Sequence, residues 1–79
     1  MSQWDAEDTV VIEHVYLGSN HVGITYHYPS YCEAVPDDSE SVAYLFMSPS
    51  EAAHWIRLRL ASLDAAAVFA DKHSLGPAK

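Results

Sequence analysis

Two runs dense in β-branched and aromatic residues, TVVIEHVYL (residues 9–17) and HVGITYHY (residues 21–28), flank the tripeptide Gly18-Ser19-Asn20. Runs of this kind on either side of turn residues specify a β-hairpin. The second run alternates strictly, with Val22, Ile24, Tyr26 and Tyr28 on one face and His21, Gly23, Thr25 and His27 on the other. With Ser19 and Asn20 as a two-residue turn, Gly18 pairs with His21, and Val15, Glu13 and Val11 stand opposite Ile24, Tyr26 and Tyr28. The core face is then expected to hold Val11, Val15, Ile24, Tyr26 and Tyr28.

Residues 29–40 (PSYCEAVPDDSE) carry two prolines and four acids, which reads as a loop with its turn at Pro36-Asp37-Asp38-Ser39. The short apolar run of residues 41–47 (SVAYLFM) reads as a third strand pairing with the hairpin. Ser48-Pro49-Ser50-Glu51 is a helix start, with Ser48 as N-cap, Pro49 at the first helical position and Glu51 completing a capping box. On one continuous helix Ala52, Ala53, Ile56, Leu60, Leu63, Ala67 and Ala70 share the sector that faces the sheet. A break at Ser62-Leu63-Asp64, with Ser62 or Asp64 capping a second helix, fits the residues equally well. The helical region ends before Gly76-Pro77, which leaves residues 75–79 as a tail, and residues 1–8 as a loose acidic arm.

The expected architecture is therefore a single α+β domain: an antiparallel three-stranded sheet with a C-terminal helix, continuous or broken in two, packed on one face. At 79 residues a lone core supplies only a few kcal/mol of net stability, so a homodimer is expected. Trp55, Leu58 and Phe69 form a second apolar strip beside the sheet-facing sector. Either a second helix folds back over it, or it is a dimer surface with Arg57 and Arg59 available to carboxylates of the other copy.

Charge is segregated along the chain. Nine carboxylates (Asp5, Glu7, Asp8, Glu13, Glu33, Asp37, Asp38, Glu40 and Glu51) precede the first basic side chain, Arg57, so the first 56 residues carry −9. The rest carries +2, from Arg57, Arg59, Lys72 and Lys79 against Asp64 and Asp71, which gives the net −7. Such a chain repels nucleic acid and anionic membrane and attracts basic protein surfaces. Asp5, Glu7, Asp8, Glu33, Asp37, Asp38 and Glu40 are the expected partner-binding residues.

Cys32 has no second cysteine to pair with, which fits a reducing compartment, and the cytosol is the default. The acidic N-terminus lacks the basic and apolar stretches of a signal peptide, and no apolar run is long enough to span a bilayer. Five histidines stand out. In the expected register His14 lies diagonal to His27 on one face, within bridging distance of a shared ion, with Cys32 or a loop carboxylate as further ligands. The spacing matches no zinc pattern, and polar residues on a solvent-facing strand surface are the plainer reading. A Cys32–His27 nucleophile and base pair lacks a Gly-rich oxyanion loop and room for a substrate cleft. No catalytic residue, metal or cofactor is assigned.

In its acidic residues Asp5, Glu7 and Asp8, and Glu33, Asp37, Asp38 and Glu40, and in its size, the chain resembles the small inhibitors encoded by phages and mobile elements, the anti-CRISPR and anti-restriction type. The resemblance implies carboxylates seated in a Lys/Arg-lined groove built for phosphates. The function expected is a protein-binding inhibitor or accessory factor acting on a basic, nucleic-acid-binding surface. The alternative is an assembly subunit that self-associates through an apolar helix face.

Overall fold

The computed structural model describes residues 10–38 and 42–78. The N-terminal arm with Asp5, Glu7 and Asp8 lies outside the described residues, as does Glu40. Seven elements follow in order: β1 (Val11–Leu17), β2 (Asn20–His27), β3 (Cys32–Pro36), β4 (Tyr44–Phe46), α1 (Pro49–Ala61), α2 (Leu63–His73) and β5 (Ser74–Pro77). The strands form one antiparallel sheet in the order β1-β2-β3-β4-β5, so the class is α+β as expected, with five strands in place of three.

Two strands come from segments that read as irregular. β3 was expected as a loop because of its flanking prolines and acids; it pairs with β2 along its whole length, and Pro36 is its last residue, where a missing N–H costs least. β5 occupies the expected tail. It pairs with β4 at the sheet's far edge, the position that tolerates Pro77. The run 41–47 supplies only β4, which joins β3 rather than the hairpin.

The hairpin turn also moves. Leu17 pairs with Asn20, so the turn residues are Gly18 and Ser19, and Gly18 takes a φ of 65° that the first central position of a type II′ turn requires. Between Val15 and Tyr16 the register shifts: Val15 faces Gly23 while Tyr16 faces His21, which leaves Val22 as the extra residue of a bulge. Consequently the expected pairings Val15 with Ile24, Glu13 with Tyr26 and Val11 with Tyr28 are replaced by Val15 with Gly23, Glu13 with Thr25 and Val11 with His27.

That change of register inverts the expected core face of β2. Gly23 and Thr25 are buried beneath the helices, beside Val15, Cys32, Ala34 and Phe46. Ile24, Tyr26 and Tyr28 project to the opposite face, where no helix covers them, and are only half-buried. The reason is space. A Cβ added at Gly23 would stand 2.8 Å from Ile56 Cγ2 and 2.8 Å from the Val35 carbonyl oxygen, so α1 rests almost on the β2 backbone. Ala34 and Ala52, both 0% exposed, permit the same closeness on β3 and on the helix.

α1 begins where expected, with Ser48 Oγ accepting from the Glu51 N–H at 3.2 Å and Pro49 in the first turn, but the second half of the expected capping box is replaced: the Glu51 carboxylate lies 3.8 Å from His73 Nδ1. The helix stops at Ser62, whose backbone is extended and whose hydroxyl accepts from the Ala65 N–H at 3.2 Å to start α2. Of the sector expected for one continuous helix, Ala52, Ile56 and Ala70 are buried and Ala53 is half-buried, whereas Leu60, Leu63 and Ala67 are exposed, and past the break Ala66 is buried in place of Ala67. Trp55 is only 2% exposed and lies 4.9 Å from the Tyr44 ring and 5.7 Å from the Phe46 ring. Leu58 and Phe69 pack partly buried against the same core. The strip expected as a dimer surface is thus spent inside the chain: Trp55 lies against the rings of β4, and Leu58 of α1 and Phe69 of α2 pack against the same core.

Two substitutions test this packing. Ser62→Ala removes the acceptor at the start of α2 and is expected to cost about 1 kcal/mol. Gly23→Ala forces a methyl between Ile56 and Val35 and is expected to cost about 1–3 kcal/mol. Thermal melts measure both, and a Gly23→Ala protein as stable as the parent would mean that α1 does not sit on β2.

Candidate functional site

With both helices on one face, the other face of the sheet is open among the described residues. It presents Ile12, His14 and Tyr16 from β1, Ile24 and Tyr26 from β2, Glu33 and Val35 from β3, and Leu45 from β4, with Tyr28 just past the end of β2. This follows from the pairings and from which residues lie under the helices. Tyr28 and Tyr31 stack with centroids 5.0 Å apart. Burial pushes the Tyr28 phenol up from its ordinary range, with Glu33, Tyr31 and Tyr26 adding to it. Aromatic and aliphatic groups therefore make the middle of this face.

At its hairpin end the bulge at Val22 carries His21 to the open side. There Asp37 Oδ2 lies 2.6 Å from His21 Nδ1, and His21 Nε2 lies 2.9 Å from His14 Nδ1. A carboxylate only accepts, so His21 carries its hydrogen on Nδ1, and in the neutral ring its Nε2 accepts from His14. Tyr16 closes the group, its ring edge-on to His21 at 5.2 Å. The backbone positions Asp37: its N–H donates to the Val22 carbonyl at 3.1 Å, immediately beside the bulge.

A second hydrogen-bonded chain lies on the helix side at the opposite end of the hairpin. His27 Nε2 is 2.8 Å from Glu13 Oε1 and 3.1 Å from Thr25 Oγ1, while His27 Nδ1 is 3.2 Å from Cys32 Sγ. The carboxylate again fixes the tautomer, so the thiol donates to Nδ1. Thiol, imidazole and carboxylate stand in the order of a nucleophilic triad. Their environment opposes that role: Cys32 is 4% exposed, and burial, with Glu13 adding to it, pushes its thiol up, away from the thiolate that would attack. The arrangement ties β1, β2 and β3 together instead.

His14 and His27, expected on one face, lie on opposite faces of the sheet and share no site. Among the described residues no group of three or more His, Cys, Asp or Glu side chains is arranged to hold a metal ion. Among them, too, no helix is long and apolar enough to cross a membrane.

Of the expected partner-binding carboxylates in the described residues, Glu33 is half-buried on the open face. Asp37 is engaged by His21, and Asp38 Oδ2 accepts from Arg59 Nη2 at 3.3 Å. Arg59 also lies 5.6 Å from the Trp55 ring centroid. Asp37, Asp38 and Arg59, with His21, Val22, Pro36, Ile56 and Leu60, line a cleft of about 190 Å³ where α1 meets the ends of β2 and β3. Its size is below that of most small-molecule sites. The His21–Asp37 contact was not foreseen, because it depends on a bulge that no local signal in the second run announces.

Comparison with known protein families, with curated proteins and with solved structures finds no match for this chain.

The protonated state of Cys32 gives a pH dependence of defined sign. Below about pH 8.5 the thiol is protonated in folded and unfolded chains alike. Above it the unfolded chain loses its proton first, so stability falls as pH rises until the folded thiol ionises too. Tyr28 acts in the same direction from about pH 10. Between about pH 8 and 9.5 the melting temperature of the parent is expected to fall further than that of Cys32→Ala, and equal slopes would show that the thiol is not held in its neutral form.

Proposed function

We propose that the chain is a small acidic protein-binding module, an inhibitor or accessory factor of the type encoded by phages and mobile elements, whose open sheet face meets a basic, nucleic-acid-binding protein surface. The observation that carries the reading is the absence of Lys and Arg from the first 56 residues. All of β1 to β4, and so almost the whole open face, derives from that half of the chain. Ile24, Tyr26 and Leu45 surround the Glu33 carboxylate on the central strands, with Asp37 at the hairpin end, which has the make-up of a binding surface: apolar and aromatic anchors with acidic charge among them for steering.

A second reading is a homo-oligomer with a structural or assembly role. It is favoured by exposed apolar groups on β1 rather than by the helix strip first expected, since Trp55 is buried.

The test is charge reversal on the open face. Glu33→Lys is expected to weaken capture of the basic partner about tenfold or more, because it places a like charge against a desolvated cation, while leaving the fold intact. Asp64→Lys, an equal change of charge at the exposed start of α2, is expected to have little effect. Affinity capture followed by titration at two salt concentrations measures both. Equal loss in the two variants would reduce the effect to net charge, and salt-independent binding would remove the electrostatic reading.

A further inference from the structure

We propose that the free edge of β1 pairs with β1 of a second copy, antiparallel about a two-fold axis at His14, joining two sheets into one. This goes beyond the binding function proposed above and does not depend on it.

β1 ends the strand order, so among the described residues one of its sides has no neighbour. Natural sheets guard such edges with short strands, Lys, Pro or an inward charge. The other edge strand, β5, has four residues and a proline. β1 has seven residues, VIEHVYL, with neither Lys nor Pro. Val11 and Ile12, each 55% exposed, with Tyr16 at 48% and Leu17 at 39%, all belong to β1, and no other large apolar residue of the sheet's first four strands is as exposed.

The direction of the backbone fixes which groups are offered. Tyr16 O accepts from Arg57 Nε at 2.7 Å, so that carbonyl points away from β2. Alternate residues share its side, hence His14 and Ile12 also turn their N–H and C=O groups outward. The Arg57 bond leaves one lone pair of the Tyr16 carbonyl for a second donor.

A two-fold at His14 overlays the whole of Val11–Leu17 and sets Ile12 opposite Tyr16, Val11 opposite Leu17 and Glu13 opposite Val15 of the other copy. The exposed apolar groups then cover one another. An axis one residue earlier sets Glu13 against Glu13, which like charge disfavours. In the favoured register Arg57, held at the Tyr16 end, lies on the helix side toward the other copy's Glu13, and the two-fold repeats this attraction. Net charge of −7 on each copy opposes the approach. Added salt screens that repulsion and strengthens self-pairing, whereas it weakens attachment of a basic partner.

Sedimentation equilibrium of the full chain over about 10 μM to 1 mM, at low and high salt, reads the association directly. The expected result is a dimer that tightens with salt and shows intermolecular contacts between Ile12 and Tyr16 in an isotope-filtered spectrum of mixed labelled and unlabelled protein. Ile12→Pro removes an outward N–H that β2 does not use, and His14→Lys places like charges at the axis. Each is expected to raise the dimer dissociation constant at least about tenfold, with circular dichroism confirming the fold; if one variant unfolds, the other decides. Leu63→Lys, on the helices and 63% exposed in the parent, is expected to leave it unchanged. A chain monomeric throughout, or a dimer indifferent to both edge variants, overturns the proposal. So does a monomer whose β1 amides shift on adding a ten-residue peptide of alternating Val and Lys, which would assign the edge to a foreign strand.

Discussion

The close approach of α1 to the sheet governs the rest of the structure. Ile56 rests on Gly23, and Ala52 on the helix and Ala34 and Thr25 on the sheet are fully or almost fully buried. A helix can come this near only where side chains are small, so the residues beneath it must be glycine, alanine and threonine rather than the large apolar residues of the same strands. Bulk is supplied instead from the helix and from β4, by Trp55, Phe46 and Tyr44. The Trp55 ring lies within 5.7 Å of both others and fills the space between α1 and β4.

This inversion explains which parts of the fold were legible. Capping signals are local: Ser48 with Pro49, and Ser62 before Leu63, act through a hydroxyl and an N–H three residues on, and both held. The alternation along β2 was equally clear, but it identifies two faces without saying which one a helix covers. The usual rule assigns the core to Val22, Ile24, Tyr26 and Tyr28, whereas the tightest packing demanded the face with Gly23 and Thr25. β3 and β5 were hidden for a different reason. Each draws its strand character from neighbours already in the sheet, a tertiary effect that overrides the proline and acid content of Pro29, Glu33, Pro36 and Pro77.

The candidate site was legible in its residue types and not in its geometry. Five histidines and a lone cysteine stand out in the composition, with solvent-facing polar residues as their plainer reading. The bulge at Val22 then separated them, sending His21 toward His14 and Asp37 on the open face while His27 stayed beneath, with Glu13 and Cys32. One extra residue in one strand is thus the difference between a shared ion site and two independent hydrogen-bonded chains on opposite faces. Neither chain converges on a point where a substrate atom or ion would sit, which is why each reads as a fastener of adjacent strands.

Charge segregation has a structural consequence that composition alone does not convey. In a half-chain without Lys or Arg, the internal cations open to Glu13 and Asp37 are histidines, and both carboxylates take one, at 2.8 and 2.6 Å. A lysine in either place would keep its charge across the neutral range and cancel the acidic residue permanently. An imidazole satisfies the same acceptor while neutral, so the hydrogen bond is made without giving up the negative charge. The hairpin therefore holds both carboxylates in place with side chains of its own half of the chain, Asp37 toward the open face and Glu13 on the helix side.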